Sequence, residues 1–170
     1  MNRQEQVEES RKRIEEGFLA SARKTGYSAL TNTGIVHAAG VSRMTFYRHF
    51  GNKRDVLLSL LERLSSNMQS GAAHTVSGLL ARRFEFLQAN RNLQFLLVDP
   101  EAREVFRDFR WKQVSEIFPG YNDGEDQYRR AFVLAGLDAL TMRWLETGMH
   151  ETVSEIVALA LRLIGDQRIE

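Results

Sequence analysis

The sequence has no cysteine, only 2 prolines, and 12 glycines in 170 residues. The lack of cysteine excludes disulfides, thiolate metal sites and cysteine nucleophiles. An all-β chain would need more turn residues than these prolines and glycines supply, so the composition favours an all-α fold. Hydrophobic residues make up 43% and charged residues 26% of the chain, which is enough apolar material for a folded core.

Long hydrophobic runs are also missing. The most apolar run, residues 131–142, is interrupted by Asp138 and falls short of the roughly 18–20 apolar residues that span a bilayer. The polar N-terminus lacks the apolar stretch of a secretory signal. We therefore expect a cytoplasmic protein without a membrane partner.

The net charge of +1 hides an uneven distribution. Residues 1–63 contain 11 Lys+Arg and 7 Asp+Glu, a balance of +4, which leaves −3 for the remainder. A basic first third indicates a polyanionic partner for that part of the chain.

Apolar residues recur every three or four positions along most of the chain, which predicts a series of helices. The first runs from about Gln4 to Lys24 and ends at Gly26. The second begins after Thr31 and ends at Gly40, where a glycine can adopt a positive φ. Ser42 can cap a third helix, which extends to about His49.

The second and third helices predict a helix-turn-helix that places the third in a DNA major groove. Arg43 can read guanine, and Met44 and Thr45 offer methyl and hydroxyl contacts. Tyr47, His49 and Lys53 are placed to reach phosphates, as are Thr31 and Ser42 at helix starts.

The same stretch closely resembles the DNA-binding domain of TetR/AcrR-type transcriptional regulators, over about residues 10–60. The resemblance is carried by Gly26-Tyr27, Leu30-Thr31, Ile35, Ala38 to Ser42, Thr45 to Phe50, and Asn52-Lys53. It implies that the helix from Ser42 to His49 reads DNA, with Arg43, Met44 and Tyr47 nearest the bases. Gly34 and Val36 depart from the family pattern without removing an expected DNA contact.

We expect two domains, a DNA-binding domain at residues 1–52 and a helical ligand-sensing and dimerisation domain at residues 53–170. A fourth helix, capped by Asn52 with Asp55, links them.

The last two helices are apolar on more than one side, which predicts cover by a second copy of the chain in a C2 homodimer. The residues expected at this interface are Leu134, Leu137, Asp138, Met142, Leu145, Ile156, Ala160 and Leu163. Asp138, a charge within an apolar helix, would pair with an arginine across the dimer, orient a cationic ligand, or lie at an exposed edge.

Resemblance to the family also implies a small-molecule effector that changes DNA affinity. Its candidate lining is apolar and aromatic: Phe84, Phe95, Phe106, Phe109, Phe132 and Met142, with Phe86, Trp111, Phe118 and Tyr121 as further aromatic candidates. The alternative is that these side chains only pack in the core.

No catalytic constellation supports an enzyme. Neither a GxxxxGK nor a GxGxxG loop occurs, and the four histidines lack ligand spacing, so no cofactor and no metal is expected. The sequence therefore predicts a homodimeric repressor that binds a palindromic operator in double-stranded DNA. The alternative is a protein-interaction adaptor that keeps the fold without reading DNA.

Overall fold

The computed structural model describes residues 2–66, 75–117 and 125–165, and within these ranges all regular structure is helical. The α-helices are α1 (Arg3–Thr25), α2 (Asn32–Ala39), α3 (Arg43–His49), α4 (Lys53–Ser66), α5 (Val76–Ala89), α6 (Gln94–Leu97), α7 (Pro100–Ile117), α8 (Glu125–Glu146) and α9 (Val153–Gly165). A short 3-10 turn, Arg91–Leu93, precedes α6. The all-α prediction is confirmed.

Two compact units share the chain. The first unit comprises Met1–Ser66 and Phe95–Trp111, and the second comprises Asn67–Gln94 and Lys112–Glu170. The first unit includes α4 with the three preceding helices, whereas the sequence division assigns α4 to the C-terminal domain. The functional boundary at residue 52 stays a prediction.

Side-chain caps at the helix starts explain where the helices of the first unit begin. Asn2 and Glu5 form a capping box on α1, and Asn52 accepts from the backbone N–H groups of Arg54 and Asp55 at 2.8 and 3.1 Å. Such side chains satisfy amides that have no partner within the helix. The predicted caps of α2, α3 and α4 are confirmed.

The core of the first unit forms where the apolar sides of α1 to α4 meet. The largest fully buried side chains here are Ile14, Phe18, Ile35, Phe46, Val56, Leu57, Leu60 and Leu61. Burial of each such side chain contributes about 1.5–3 kcal/mol. This packing gives a rigid platform for the exposed side of α3.

The second unit contains α5, α8 and α9. Phe84 of α5 meets the ring of Trp144 of α8 edge to face, with ring centroids 5.2 Å apart, and both rings are buried. Thr152 and Glu155 form a capping box at the start of α9, with the Thr152 N–H donating to the Glu155 carboxylate at 2.8 Å.

The side of α9 that packs within the chain carries two residues expected at the dimer interface. Ile156 and Ala160 are 2% and 0% exposed within a single chain, and α9 packs against α5. Their place at a dimer interface stays a prediction, and the sequence pattern does not tell which apolar side of α9 covers α5.

Among the described residues, none of the helices combines the length and the apolar character that crossing a bilayer requires.

Candidate nucleic-acid interface

A short turn joins α2 to α3. Gly40 ends α2 in the left-handed conformation, with φ 60° and ψ 36°, which glycine adopts without the steric cost of a Cβ atom. Ser42 then begins α3, because its Oγ accepts from the Thr45 N–H at 3.0 Å. The chain therefore leaves α2 and starts α3 within three residues, Gly40 to Ser42, as the helix-turn-helix prediction requires.

One side of α3 is buried and the other is open to solvent. Phe46 and Phe50 are 0% and 4% exposed, so they fix α3 on the core of the first unit. Met44 and Tyr47 are 74% and 57% exposed, although large apolar side chains are usually buried. Arg43 is exposed beside them.

Tyr47 combines exposure with a fixed position. Its ring lies edge to face on the buried Phe46 ring, with centroids 5.2 Å apart and planes at 88°. The buried Phe46 ring therefore supports the Tyr47 ring from one side and leaves the phenol exposed. Arg43, Met44 and Tyr47 thus form an exposed cluster, which we call the reading surface.

Thr31 and Ser42 are both occupied as caps. Thr31 Oγ1 accepts from the Gly34 N–H at 3.1 Å, and the Ser42 hydroxyl lies 2.8 Å from the hydroxyl of Thr45. Because an accepting hydroxyl keeps its own proton, the Thr31 hydroxyl can still donate to a phosphate. The phosphate contacts of Thr31, Ser42 and Thr45 stay predictions.

His49, at the end of α3, is half-buried. Burial lowers its pKa below the ordinary histidine value, and the charges of Arg11 and Arg48 lower it further. The lowered pKa favours the neutral imidazole in the free protein. A DNA phosphate nearby would raise that pKa again.

Lys53 has a different role from the expected one. Its ammonium donates to the carbonyls of Tyr27 and Ser28 at 2.9 and 3.1 Å and to the carboxylate of Glu101 at 3.0 Å. It also lies over the Tyr27 ring, 4.6 Å from the centroid. All three ammonium protons therefore have acceptors within the first unit, so we no longer expect Lys53 to bind a phosphate.

Sequence reasoning did not identify Arg13, whose guanidinium reaches the carbonyls at the turn between α2 and α3. No sequence pattern signals this contact, because it depends on the angle at which α1 crosses α2.

The candidate effector residues are divided between the two units. Phe95, Phe106 and Phe109 belong to the first unit, and Phe84, Phe132 and Met142 belong to the second. Phe84 and Phe106 are buried, Phe95, Phe109 and Met142 are half-buried, and Phe132 is 60% exposed. An exposed Phe132 does not line an enclosed cavity in one chain. Phe118, Tyr121 and the side chain of Trp111 lie outside what the structure describes.

The remaining residues expected at the dimer interface are partly exposed to solvent on α8 and α9. Leu134, Leu137, Met142 and Leu145 are half-buried, and Leu163 is 52% exposed. Asp138 pairs with Arg83 of the same chain, at 3.0 Å between carboxylate and guanidinium. An arginine of a second chain is therefore not needed to compensate its charge.

Across residues 2–66, 75–117 and 125–165, no group of three or more His, Asp or Glu side chains is arranged to hold a metal ion.

Comparison with known proteins shows which family and which relatives share this sequence. The family model for bacterial regulatory proteins of the tetR family matches residues 19–60, from the last two turns of α1 into α4. The HTH-type transcriptional repressor KstR of Mycolicibacterium smegmatis is 31% identical to this chain, over 92% of this chain and 87% of the relative.

Solved structures share the fold along most of the chain. A TetR transcriptional regulator from Streptococcus agalactiae is 22% identical with a TM-score of 0.69, over 95% of this chain and 96% of that one. The regulator FadR from Bacillus subtilis, solved in complex with stearoyl-CoA, is 18% identical with a TM-score of 0.58, over 89% and 96%.

Proposed function

The chain belongs to the TetR family of bacterial transcriptional regulators, and we propose that it acts in the cytoplasm as a homodimeric repressor that binds a palindromic operator through α3. As a regulator of this family it is a DNA-binding protein and not an enzyme. Repression is proposed because the relative with 31% identity is a transcriptional repressor.

The observation that carries the proposal is the reading surface of α3. Met44 and Tyr47 are largely exposed while Phe46, between them in sequence, is fully buried. An α-helix fits into the major groove, where arginine binds guanine O6 and N7 and methyl groups contact thymine. The exposed side of α3 supplies these groups, and the buried side fixes their orientation.

Replacement of Arg43 tests whether α3 reads bases. Arg43→Ala should weaken binding to the preferred duplex by about 1–3 kcal/mol and bring its affinity closer to that for scrambled DNA. The matched control is Arg107→Ala, which removes another exposed arginine, from α7, and should leave the ratio of the two affinities unchanged. Equal losses on both duplexes for Arg43→Ala would contradict base reading.

Dimerisation is proposed through an exposed side of α8 and the exposed Leu163 of α9. Tyr128 and Phe132 are 73% and 60% exposed, as is Leu163 of α9 at 52%, and Ala135 and Ala139 continue the same side of α8. Large apolar side chains beside small ones suit close packing against an identical helix, and most homo-oligomers are C2 dimers.

Sedimentation of two charge variants tests this interface. Phe132→Glu should shift the protein from dimer to monomer, because it places two carboxylates in the buried contact. Val76→Glu is the control, since Val76 is 43% exposed on α5 and lies outside the proposed interface. A Phe132→Glu variant that stays dimeric at micromolar concentration would exclude this surface.

The effector is proposed to be a small molecule with an apolar or aromatic body. Support comes from the apolar and aromatic character of the candidate side chains and from the stearoyl-CoA complex of FadR, which shares the fold. Stearoyl-CoA is therefore the first probe: it should raise the melting temperature and weaken operator binding over the same concentration range. A probe that changes neither quantity is excluded as the effector.

A further inference from the structure

One side of α1 contacts α2 along its length through residues spaced four apart. Ser21 Oγ donates to the Gly34 carbonyl at 3.4 Å, Gly17 lies against Ala39, and Arg13 reaches the carbonyls of Ala39 and Gly40. Residues at this spacing share one side of a helix. The contacts of Gly17 and Arg13 therefore converge on the last residues of α2, next to the turn that leads to α3.

Gly17 permits the closest approach between the two helices. A Cβ atom at this position would lie 2.5 Å from the backbone nitrogen of Ala39 and 2.8 Å from its Cα. Because these are backbone atoms, no side-chain rotation can relieve the overlap. Any larger residue at position 17 must move the end of α2 away from α1.

Arg13 satisfies carbonyl groups that α2 leaves open. Within α2, the carbonyls of Val36 and His37 accept from the N–H groups of Gly40 and Val41. The guanidinium of Arg13 donates to the Ala39 carbonyl at 3.2 Å and to the Gly40 carbonyl at 2.9 Å. Its positive charge also lies at the negative end of the helix dipole.

These two carbonyls belong to the peptide groups through which the chain leaves α2 for α3. Arg13 is itself exposed, so replacing it removes the hydrogen bonds without opening a cavity in the core. Gly17 sets how close α1 and α2 come, and Arg13 sets the orientation of the turn. Neither belongs to the reading surface.

We propose that Arg13 and Gly17 are positioning residues for DNA recognition, which orient α3 through the α2–α3 turn without contacting the DNA. Sequence preference would then depend on two residues of α1 as well as on the reading surface. The inference rests on the proposed function for its effect on DNA, but its effect on the turn can be measured without DNA.

The DNA experiment compares Arg13→Gln with Lys12→Gln, which makes the same charge change at the exposed neighbouring residue. Each protein is titrated, over a series of salt concentrations, with the duplex that the wild-type protein selects and with a scrambled duplex. Arg13→Gln should lose roughly tenfold in affinity on the selected duplex, about the size of one lost base contact, and little on the scrambled one. Lys12→Gln should leave the ratio of affinities unchanged.

The salt dependence separates positioning from direct phosphate binding. A positioning residue leaves the log-log slope unchanged, whereas losing one phosphate contact per chain changes it by about 0.9 for each contact. Parallel losses on both duplexes with a shallower slope would overturn the proposal, and so would an unchanged ratio of affinities. Arg13→Lys, which keeps the charge but not the planar pair of donors, should show an intermediate loss at an unchanged slope.

Hydrogen exchange tests the turn independently of DNA. In Arg13→Gln, the amides of Gly40 and Val41 should exchange faster than in the wild type, while the amide of Ile35, near the start of α2, should not change. Unchanged exchange at Gly40 and Val41 would overturn the proposal even if DNA binding were impaired. If the wild-type protein selects no duplex, the proposed function fails while this measurement still decides the role of Arg13.

Gly17→Ala should show the same loss of sequence preference and the same faster exchange at Gly40 and Val41. If this variant does not fold, the Arg13 variants alone test the proposal.

Discussion

The carboxylate of Asp99 accepts two hydrogen bonds from Ser28, one from its backbone N–H at 2.8 Å and one from its hydroxyl at 2.7 Å. The same carboxylate caps α7, accepting from the N–H groups of Glu101 and Ala102 at 3.0 and 3.2 Å. One side chain thus fixes both the start of α7 and the connection between α1 and α2 within the first unit.

Asp99→Ala should destabilise the first unit by about 1–2 kcal/mol, because it removes a helix cap together with the bonds to Ser28. Chemical denaturation followed by circular dichroism measures the loss. Asp108→Ala is the control, since Asp108 pairs with Arg54 at a half-exposed surface site where ion pairs contribute less than about 1 kcal/mol. Equal effects of the two variants would contradict the double role of Asp99.

The pKa of Asp99 gives this contribution a pH dependence. Burial raises the pKa, but the hydrogen bonds from Ser28 and from the first turn of α7 outweigh burial, so the net pKa lies below its ordinary value. The folded state therefore binds the proton less readily than the unfolded state, and the stabilisation is complete above the unfolded pKa of about 3.9. It should disappear as the pH falls through the folded pKa, and Asp99→Ala should show a smaller loss of stability on acidification. An identical acid profile for both proteins would exclude this contribution.

The acceptors of Lys53 lead to a prediction that differs from the one made from sequence. Lys53→Met keeps the aliphatic stem but removes the three hydrogen bonds, so stability should fall by about 1–2 kcal/mol. The salt dependence of DNA binding should stay the same. Lys24→Met, at the exposed end of α1, is the control and should change stability little. A shallower salt dependence with unchanged stability would instead support the phosphate contact of Lys53 that the sequence predicts.

Gly34 lowers the stability of α2, although no close contact requires a glycine at this position. A Cβ atom at this position would meet only Thr31 Oγ1, at 3.4 Å, and glycine within a helix is about 0.5–1 kcal/mol less favourable than alanine. Gly34→Ala should therefore raise the melting temperature, whereas Gly17→Ala should lower it. A destabilised Gly34→Ala variant would show that Ala does not fit beside the Thr31 cap.

The Arg83–Asp138 pair should be important for the second unit. Arg83 is largely buried, and burial lowers its pKa while the charge of Asp138 opposes this effect. Its guanidinium also donates to Thr141 Oγ1 at 2.7 Å. Asp138→Ala should cost about 1.5–3 kcal/mol, since it removes a hydrogen bond between charged groups. Glu146→Ala removes an exposed ion pair and should lower the free energy of unfolding much less. Equal losses for the two variants would show that the Arg83–Asp138 pair contributes no more than an exposed pair.

Local signals in the sequence predict much of the first unit. Thr31, Ser42 and Asn52 mark the helix starts, and Gly26 and Gly40 mark helix ends, because caps and positive φ are decided by a few neighbouring residues. The alternation between buried Phe46 and exposed Met44 and Tyr47 follows from the helical period in the same way.

Contacts distant in sequence are not predictable in this way. The position of Lys53 depends on Glu101, 48 residues away, and the apolar sides of α9 look alike until the packing of α5 against Ile156 and Ala160 is known. Arg13 likewise depends on the crossing of two helices. The sequence pattern thus predicts that Arg43, Met44 and Tyr47 lie on the exposed side of α3, but it does not predict the long-range contacts of Lys53 and Arg13.

Selection of the wild-type protein against random double-stranded DNA in a mobility-shift assay tests the account most directly. We predict enrichment of an inverted repeat whose half-sites lie about one helical turn, roughly 34–36 Å, apart or a multiple of it, with two chains bound per site. Enrichment of no sequence, or binding of a single chain to an asymmetric site, would contradict the proposal that α3 reads a palindromic operator as part of a homodimer.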